Sequence, residues 1–149
     1  MSTQMHDHEI DIEQLNSFLQ DEKAAVDTYQ QYIESVEAVV VASGLGSLQQ
    51  SHQKRVLLLA EKVRELGGTP NADSGTWGGF AKLFESGAKL FGKRFALYAL
   101  EEGEDRGMHN YVRKSVKLSP ESQSFINTLI LPEQKRSHDE LNRIRELVH

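Results

Sequence analysis

Cysteine is missing from all 149 residues, which rules out disulfides, thiolate nucleophiles and cysteine-ligated zinc or iron–sulfur centres. Proline is scarce, at three residues, and no alternating polar–apolar run marks a half-buried strand, so helix is the expected element. No uninterrupted apolar stretch approaches the roughly 20 residues a membrane span needs. Positive charge is outweighed. With 17 Lys and Arg against 22 Asp and Glu, the net charge of −5 has the wrong sign for gripping a nucleic-acid backbone. Residues 1–14 are polar and acidic and lack the parts of a secretory signal, so the expected location is the cytoplasm. Also lacking are a phosphate-cradling glycine loop followed by Lys and Ser or Thr, a His-Glu-x-x-His pair, and a serine in a hydrolase-type turn. No ready-made catalytic motif is left.

Four long helical patterns are present. The first carries Ile12, Leu15, Leu19, Glu22, Val26, Tyr29, Ile33 and Val36 at three- and four-residue steps. The second carries Leu45, Leu48, His52, Val56, Leu59, Val63 and Leu66 and exits at Gly67-Gly68. The third carries Leu97, Glu101, Glu104, Met108, Tyr111, Ser115 and Leu118. Ser119-Pro120-Glu121 then turns the chain, with Pro120 suited to the first position of a fourth helix. That helix sets Ile126, Ile130 or Leu131, Gln134, His138, Leu141 and Val148 inward, and Pro132 predicts a local kink or break within it. These patterns imply one domain over residues 1–149, with residues 1–11 flexible. Residues 67–95 form a long crossover that includes a short aromatic-rich helix around Phe80, Phe84, Phe91 and Phe95. The expected architecture is all-α: two antiparallel hairpins joined by that crossover into a four-helix bundle.

Within it, one spacing occurs twice. Glu22 is followed seven residues later by Tyr29 and then by His52; Glu104 is followed seven later by Tyr111 and then by His138. Residues seven apart share a helix face. Glu22 and His52 are centred on residue 37, Glu104 and His138 on residue 121. Turns at both centres put each pair at one level, about 22 Å down the helices. The first turn has two candidates, Glu37–Val39 and Ser43–Gly46, and only the former keeps His52 level with Glu22.

This constellation resembles the ferritin-like superfamily, whose carboxylate-bridged site takes a Glu from each of two helices and a Glu-x-x-His from each of the other two. Ser74-Gly-Thr-Trp-Gly-Gly-Phe-Ala-Lys-Leu-Phe and Leu100-Glu-Glu-Gly-Glu-Asp-Arg-Gly are similar to a branch of uncharacterised bacterial ferritin-like bundles. The resemblance implies candidate metal ligands Glu22, His52, Glu104 and His138, with Tyr29 and Tyr111 beside them. It departs at the positions three before each histidine, where Gln49 and Lys135 stand in place of glutamates. Two divalent metals would need four carboxylates; two glutamates, even with Glu101, leave the site strongly positive. A full di-iron centre is therefore not expected.

Two readings follow. In one, a single Fe, Mn or Zn ion is held by Glu22, His52, Glu104 and His138, as suits nitrogen and oxygen ligands. In the leading one no metal is bound: Lys135 sits as an internal ammonium, and the chain is a non-catalytic scaffold or stress-associated interaction module with a degraded metal-site layer. A homo-oligomer is expected in either case, without nucleic-acid partners. A third reading lays residues 77–95 on a membrane surface, with Trp77 and four phenylalanines beside Lys82, Lys89, Lys93 and Arg94. The acidic whole and the commoner use of such stripes in bundle caps count against it. The His6-Asp7-His8-Glu9 cluster is expected to be a mobile polar terminus.

Overall fold

The computed structural model describes residues 2–73 and 93–147. Helix α1 spans Ser2–Ser35 and α2 spans Val39–Glu65. Helix α3 covers Lys93–Lys114 and ends in a 3₁₀ turn, Ser115–Lys117. The last arm is one rod in three parts: α4 (Pro120–Phe125), a π-helical turn (Ile126–Ile130) and α5 (Leu131–Leu147). Helix α1 packs chiefly on α2, and α5 bridges α2 and α3, while α1 and α3 touch only sparsely. These are two hairpins docked as a four-helix bundle. The aromatic-rich segment and the membrane-surface reading fall mostly outside the described residues. Among those described, no helix is long and apolar enough to cross a membrane.

The first turn is residues 36–38, the earlier of the two candidates. Ser43-Gly44-Leu45-Gly46 lies inside α2, and the reason is packing. A Cβ on Gly44 would stand 2.8 Å from the Ile144 side chain, so the glycine serves close approach of α5 rather than a turn. Helix α2 does end as its glycines predict. Gly67 adopts φ +88, and Gly68 N–H returns to the Val63 carbonyl at 2.9 Å, closing the last turn. Asn16 on α1 then holds the departing chain, donating to the Thr69 carbonyl at 3.0 Å and accepting from Asn71 N–H at 2.9 Å.

The second turn is pinned from a distance. Ser119 caps α4, with Pro120 in its first turn. The buried carboxylate of Asp11 accepts from Ser119 N–H at 2.9 Å and from the hydroxyls of Ser119 and Ser122 at 2.5 and 2.6 Å. Asp11 closes the stretch 1–11 that the sequence suggests is flexible. Asp11 is anchored, and α1 continues back to Ser2 because extending a nucleated helix costs little.

Pro132 widens the fourth arm instead of breaking it. Lacking an N–H, it cannot return a bond to Thr128, and the preceding residues take up π geometry. The wider turn keeps Ser122, Ile126, Ile130 and Gln134, at successive four-residue steps, all buried on one stripe. Two apolar clusters result. One gathers Ala25, Tyr29, Tyr32, Leu45, Leu48, Leu97, Leu100, Leu141 and Ile144; the other gathers Leu15, Phe18, Leu19, Leu59, Val63, Tyr111, Ile126 and Ile130. Between them lies a polar layer.

Candidate functional site: a buried layer of paired charges

The layer is centred on His52. Its Nδ1 is 2.6 Å from Glu22 Oε2 and its Nε2 is 2.7 Å from Glu104 Oε1, so one imidazole bridges the glutamates of α1 and α3. Each contact needs a proton between nitrogen and oxygen, since two lone pairs cannot face each other at that distance. Each tyrosine serves the glutamate of the other hairpin. Tyr29 donates to Glu104 Oε1 and Tyr111 to Glu22 Oε1, both at 2.7 Å.

Arg55, one turn beyond His52 on α2, is fully buried and completes the layer. Its Nη1 lies 3.4 Å from Glu22 Oε1 and also donates to Gln134 Oε1. Its Nη2 donates to Ser137 Oγ at 3.1 Å, and its Nε to the Ser51 carbonyl at 3.4 Å. Glu104 Oε2 accepts from Gln134 Nε2 at 3.0 Å and from Ser137 Oγ at 2.9 Å.

Charge explains why so polar a layer survives burial. Two protons sit on the His52 contacts, whether as an imidazolium or as an imidazole beside one protonated carboxyl. With Arg55 positive, the group Glu22, Glu104, His52 and Arg55 is neutral either way. Burial pushes Glu104 up, but the His52 charge and hydrogen bond outweigh it and hold the carboxyl down at about 2. Burial likewise opposes the ionised Glu22, and the Arg55 charge followed by His52 lowers it. His52 is raised: burial and the Arg55 charge favour the neutral ring, and the two carboxylates overcome both. Both tyrosines are pushed well above the usual phenol value, by burial first and then by the carboxylate each one serves.

Of the residues singled out from the sequence, the structure gathers Glu22, His52, Glu104, Tyr29 and Tyr111 in this layer. It does not gather His138, which is one-third exposed and lies 3.0 Å from Asp105 Oδ1. Residues three and four beyond Gln134 flank its stripe on opposite sides. Docking of α5 against both α2 and α3 turns Ser137 inward and leaves His138 on the α3 rim. Lys135 is exposed and pairs with Asp139 at 2.9 Å, so the internal cation is Arg55 and not Lys135. Gln49 donates to Val26 O and Gln30 Oε1 at the helix border, and Glu101 faces Arg145. Neither reaches the layer. The residues missed were Arg55, Gln134 as a working group, and Ser137. The sequence does carry a signal for Arg55: Leu48, His52, Arg55 and Leu59 make a four–three–four stripe, an alternative to the step through Val56.

The helix pairs that face the layer are now visible. Helix α2 offers His52-x-x-Arg55 and α5 offers Gln134-x-x-Ser137, where a carboxylate-bridged di-metal bundle has Glu-x-x-His twice. Both His52 nitrogens are engaged by carboxylates, and a guanidinium occupies the space beside Glu22. The donor set does not fit a di-metal centre, and among the described residues no group of three His, Asp or Glu is arranged to hold an ion.

Comparison with known proteins agrees on the fold. A crystal structure titled as ferritin like, diiron-carboxylate proteins from Bacillus anthracis str. Ames superposes with a TM-score of 0.67 at 23% identity, covering 95% of each chain. No curated protein matches in sequence. The chain is thus a ferritin-like helical bundle. The profile of a family described as a domain of unknown function, DUF2383, matches residues 11–115, a stretch holding both glutamates, both tyrosines, His52 and Arg55. The chain belongs to the DUF2383 family.

Proposed function

We propose that this protein is a non-catalytic ferritin-like scaffold or interaction module whose mid-bundle layer is balanced by its own side chains in place of metal. The observation that supports this is Arg55, a fully buried guanidinium set between Glu22, Gln134 and Ser137. It contributes the positive charge an ion would bring, at a position facing the layer where the metal-bearing pattern has a ligand. Both His52 ring nitrogens are already engaged by the Glu22 and Glu104 carboxylates, at 2.6 and 2.7 Å, which leaves neither to ligate an ion. The reading includes cytoplasmic residence and self-association, the latter in keeping with exposed Val112 on α3 and Val116 in the 3₁₀ turn that follows it.

Elemental analysis of tag-free protein, desalted after anaerobic incubation with Fe²⁺, Mn²⁺ or Zn²⁺, tests it. The expected content is far below one ion per chain, with no rise in Tm on adding metal. Stoichiometric metal that disappears in Glu104→Gln would sink the proposal and support a single-ion centre on Glu22, His52 and Glu104.

A further inference from the structure

Helix α3 packs on α5 and touches α1 only sparsely, which leaves it a face open to solvent. Tyr98, Glu102, Asp105, His109 and Val112 run along that face at alternating steps of four and three, and Val116 in the 3₁₀ turn continues the row. All six are exposed. Such steps keep a row in line along one side of a helix, and they are the interval at which paired helices meet. Three of the six are large apolar side chains: Tyr98 and Val112 are each 59% exposed and Val116 is 73% exposed. Single apolar side chains on a surface are ordinary; three in one row mark an interaction face.

The order along the row identifies the partner. Its positions are symmetric about residue 107: Tyr98 stands as far from that point as Val116, Glu102 as far as Val112, and Asp105 as far as His109. Arg113 is exposed beside Val112. Laid against an antiparallel copy of itself and centred there, the row sets Tyr98 on Val116, Asp105 on His109, and Glu102 on Val112 and Arg113. A parallel copy would instead set Glu102 on Glu102 and Arg113 on Arg113. Among the described residues neither Glu102 nor Arg113 has an ion-pair partner, so both charges are available to a second chain.

We infer that this face of α3 is the self-association surface of the protein, with a second copy docked antiparallel along residues 98–116 and Glu102 of each copy paired with Arg113 of the other. A two-fold axis makes each contact twice, as in the self-complementary interfaces of most dimers. The inference rests on the self-association part of the scaffold reading and gives it a surface. The row is about 27 Å long. A single helix pair of that length lies at the small end of specific interfaces, below roughly 1,200 Å², so monomer and dimer are in equilibrium.

Sedimentation velocity of the full-length chain over a range of concentrations at low salt tests it. The expected result is a monomer–dimer equilibrium that weakens with added salt. Glu102→Arg and Arg113→Glu each set like charges together at both two-fold-related contacts, and each should weaken the dimer about tenfold or more. Glu102→Arg also moves the net charge of −5 two units toward zero, so a general charge effect would strengthen association instead. The double variant Glu102→Arg, Arg113→Glu exchanges the charges and should restore the dimer to near wild-type strength. Both positions are exposed, so the variants should fold, and a thermal melt of each checks this. Association indifferent to the single reversals, or not restored by the double one, would overturn the α3 surface while leaving self-association standing. A monomer at every concentration would overturn both, and metal content would still decide the scaffold reading separately.

Discussion

Tyr29 and Glu104 stand 75 positions apart in sequence, yet the phenol donates to the carboxylate at 2.7 Å in the middle of the bundle. Tyr111 and Glu22 repeat the relationship in the opposite direction. The two hairpins are thus tied by reciprocal hydrogen bonds, each hairpin lending a tyrosine to the other's glutamate.

Removing either hydroxyl should show this. Tyr29→Phe and Tyr111→Phe each delete a hydrogen bond to a buried charged acceptor while keeping the ring, for an expected loss of about 1.5–3 kcal/mol. Urea denaturation of the single and double variants measures it. Losses within a few tenths of a kcal/mol would mean that the carboxylates do not depend on these donors.

Arg55→Met is expected to be far more damaging. It leaves Glu22 without its guanidinium and strips Gln134 and Ser137 of a partner, and breaking a buried charge group costs about 3–5 kcal/mol. The exposed Lys135→Ala should stay within about 0.5 kcal/mol of wild type. The reverse order would restore lysine as the internal cation.

Stability should fall on both sides of a plateau. Glu104 is held at about 2 against an ordinary 4.5, so its contribution is complete above pH 4.5 and lost as pH falls toward 2. His52 is raised above 6.5, so its contribution is complete below pH 6.5 and lost as pH climbs through the raised value. Urea midpoints from acid pH up to about 9, below the range where the raised tyrosines also cost stability, trace both limbs, and His52→Gln should abolish the one above pH 6.5. An alkaline limb that persists in that variant would assign it to another group.

The two glycines of α2 should respond oppositely. Gly44→Ala pushes a methyl against Ile144 at 2.8 Å, an overpacking cost of about 1–3 kcal/mol that Ile144→Ala should relieve. Gly46 has nothing within 4 Å of an added Cβ, so Gly46→Ala should stabilise the helix by about 0.5–1 kcal/mol. Thermal melts decide, and a destabilised Gly46→Ala would argue for a special backbone there.

Much of this was legible in the chain itself. Three- and four-residue spacing identified the four arms, because an amphipathic helix must bury one stripe whatever its partners are. The glycine exit of α2 and the Ser119-Pro120 start of the last arm were also legible, since caps act within a few residues of themselves. The seven-residue Glu–Tyr repeat sets its four side chains on inward stripes for the same local reason, and they meet in the layer.

What only the tertiary structure decided are matters of rotation and approach. Periodicity allows both Ser137 and His138 beside the Gln134 stripe, and both Arg55 and Val56 after His52; the angle at which whole helices dock selects one of each. Gly44 reads as a breaker until Ile144, a hundred residues later, comes to rest on it. Asp11 reads as part of a loose terminus until Ser119 and Ser122 meet its carboxylate. The sequence by itself determined which residues could face inward, and that the inward set carried charge in need of balance. Three-dimensional packing decided that an arginine supplies the balance, because only the docked helices bring Arg55 between Glu22, Gln134 and Ser137.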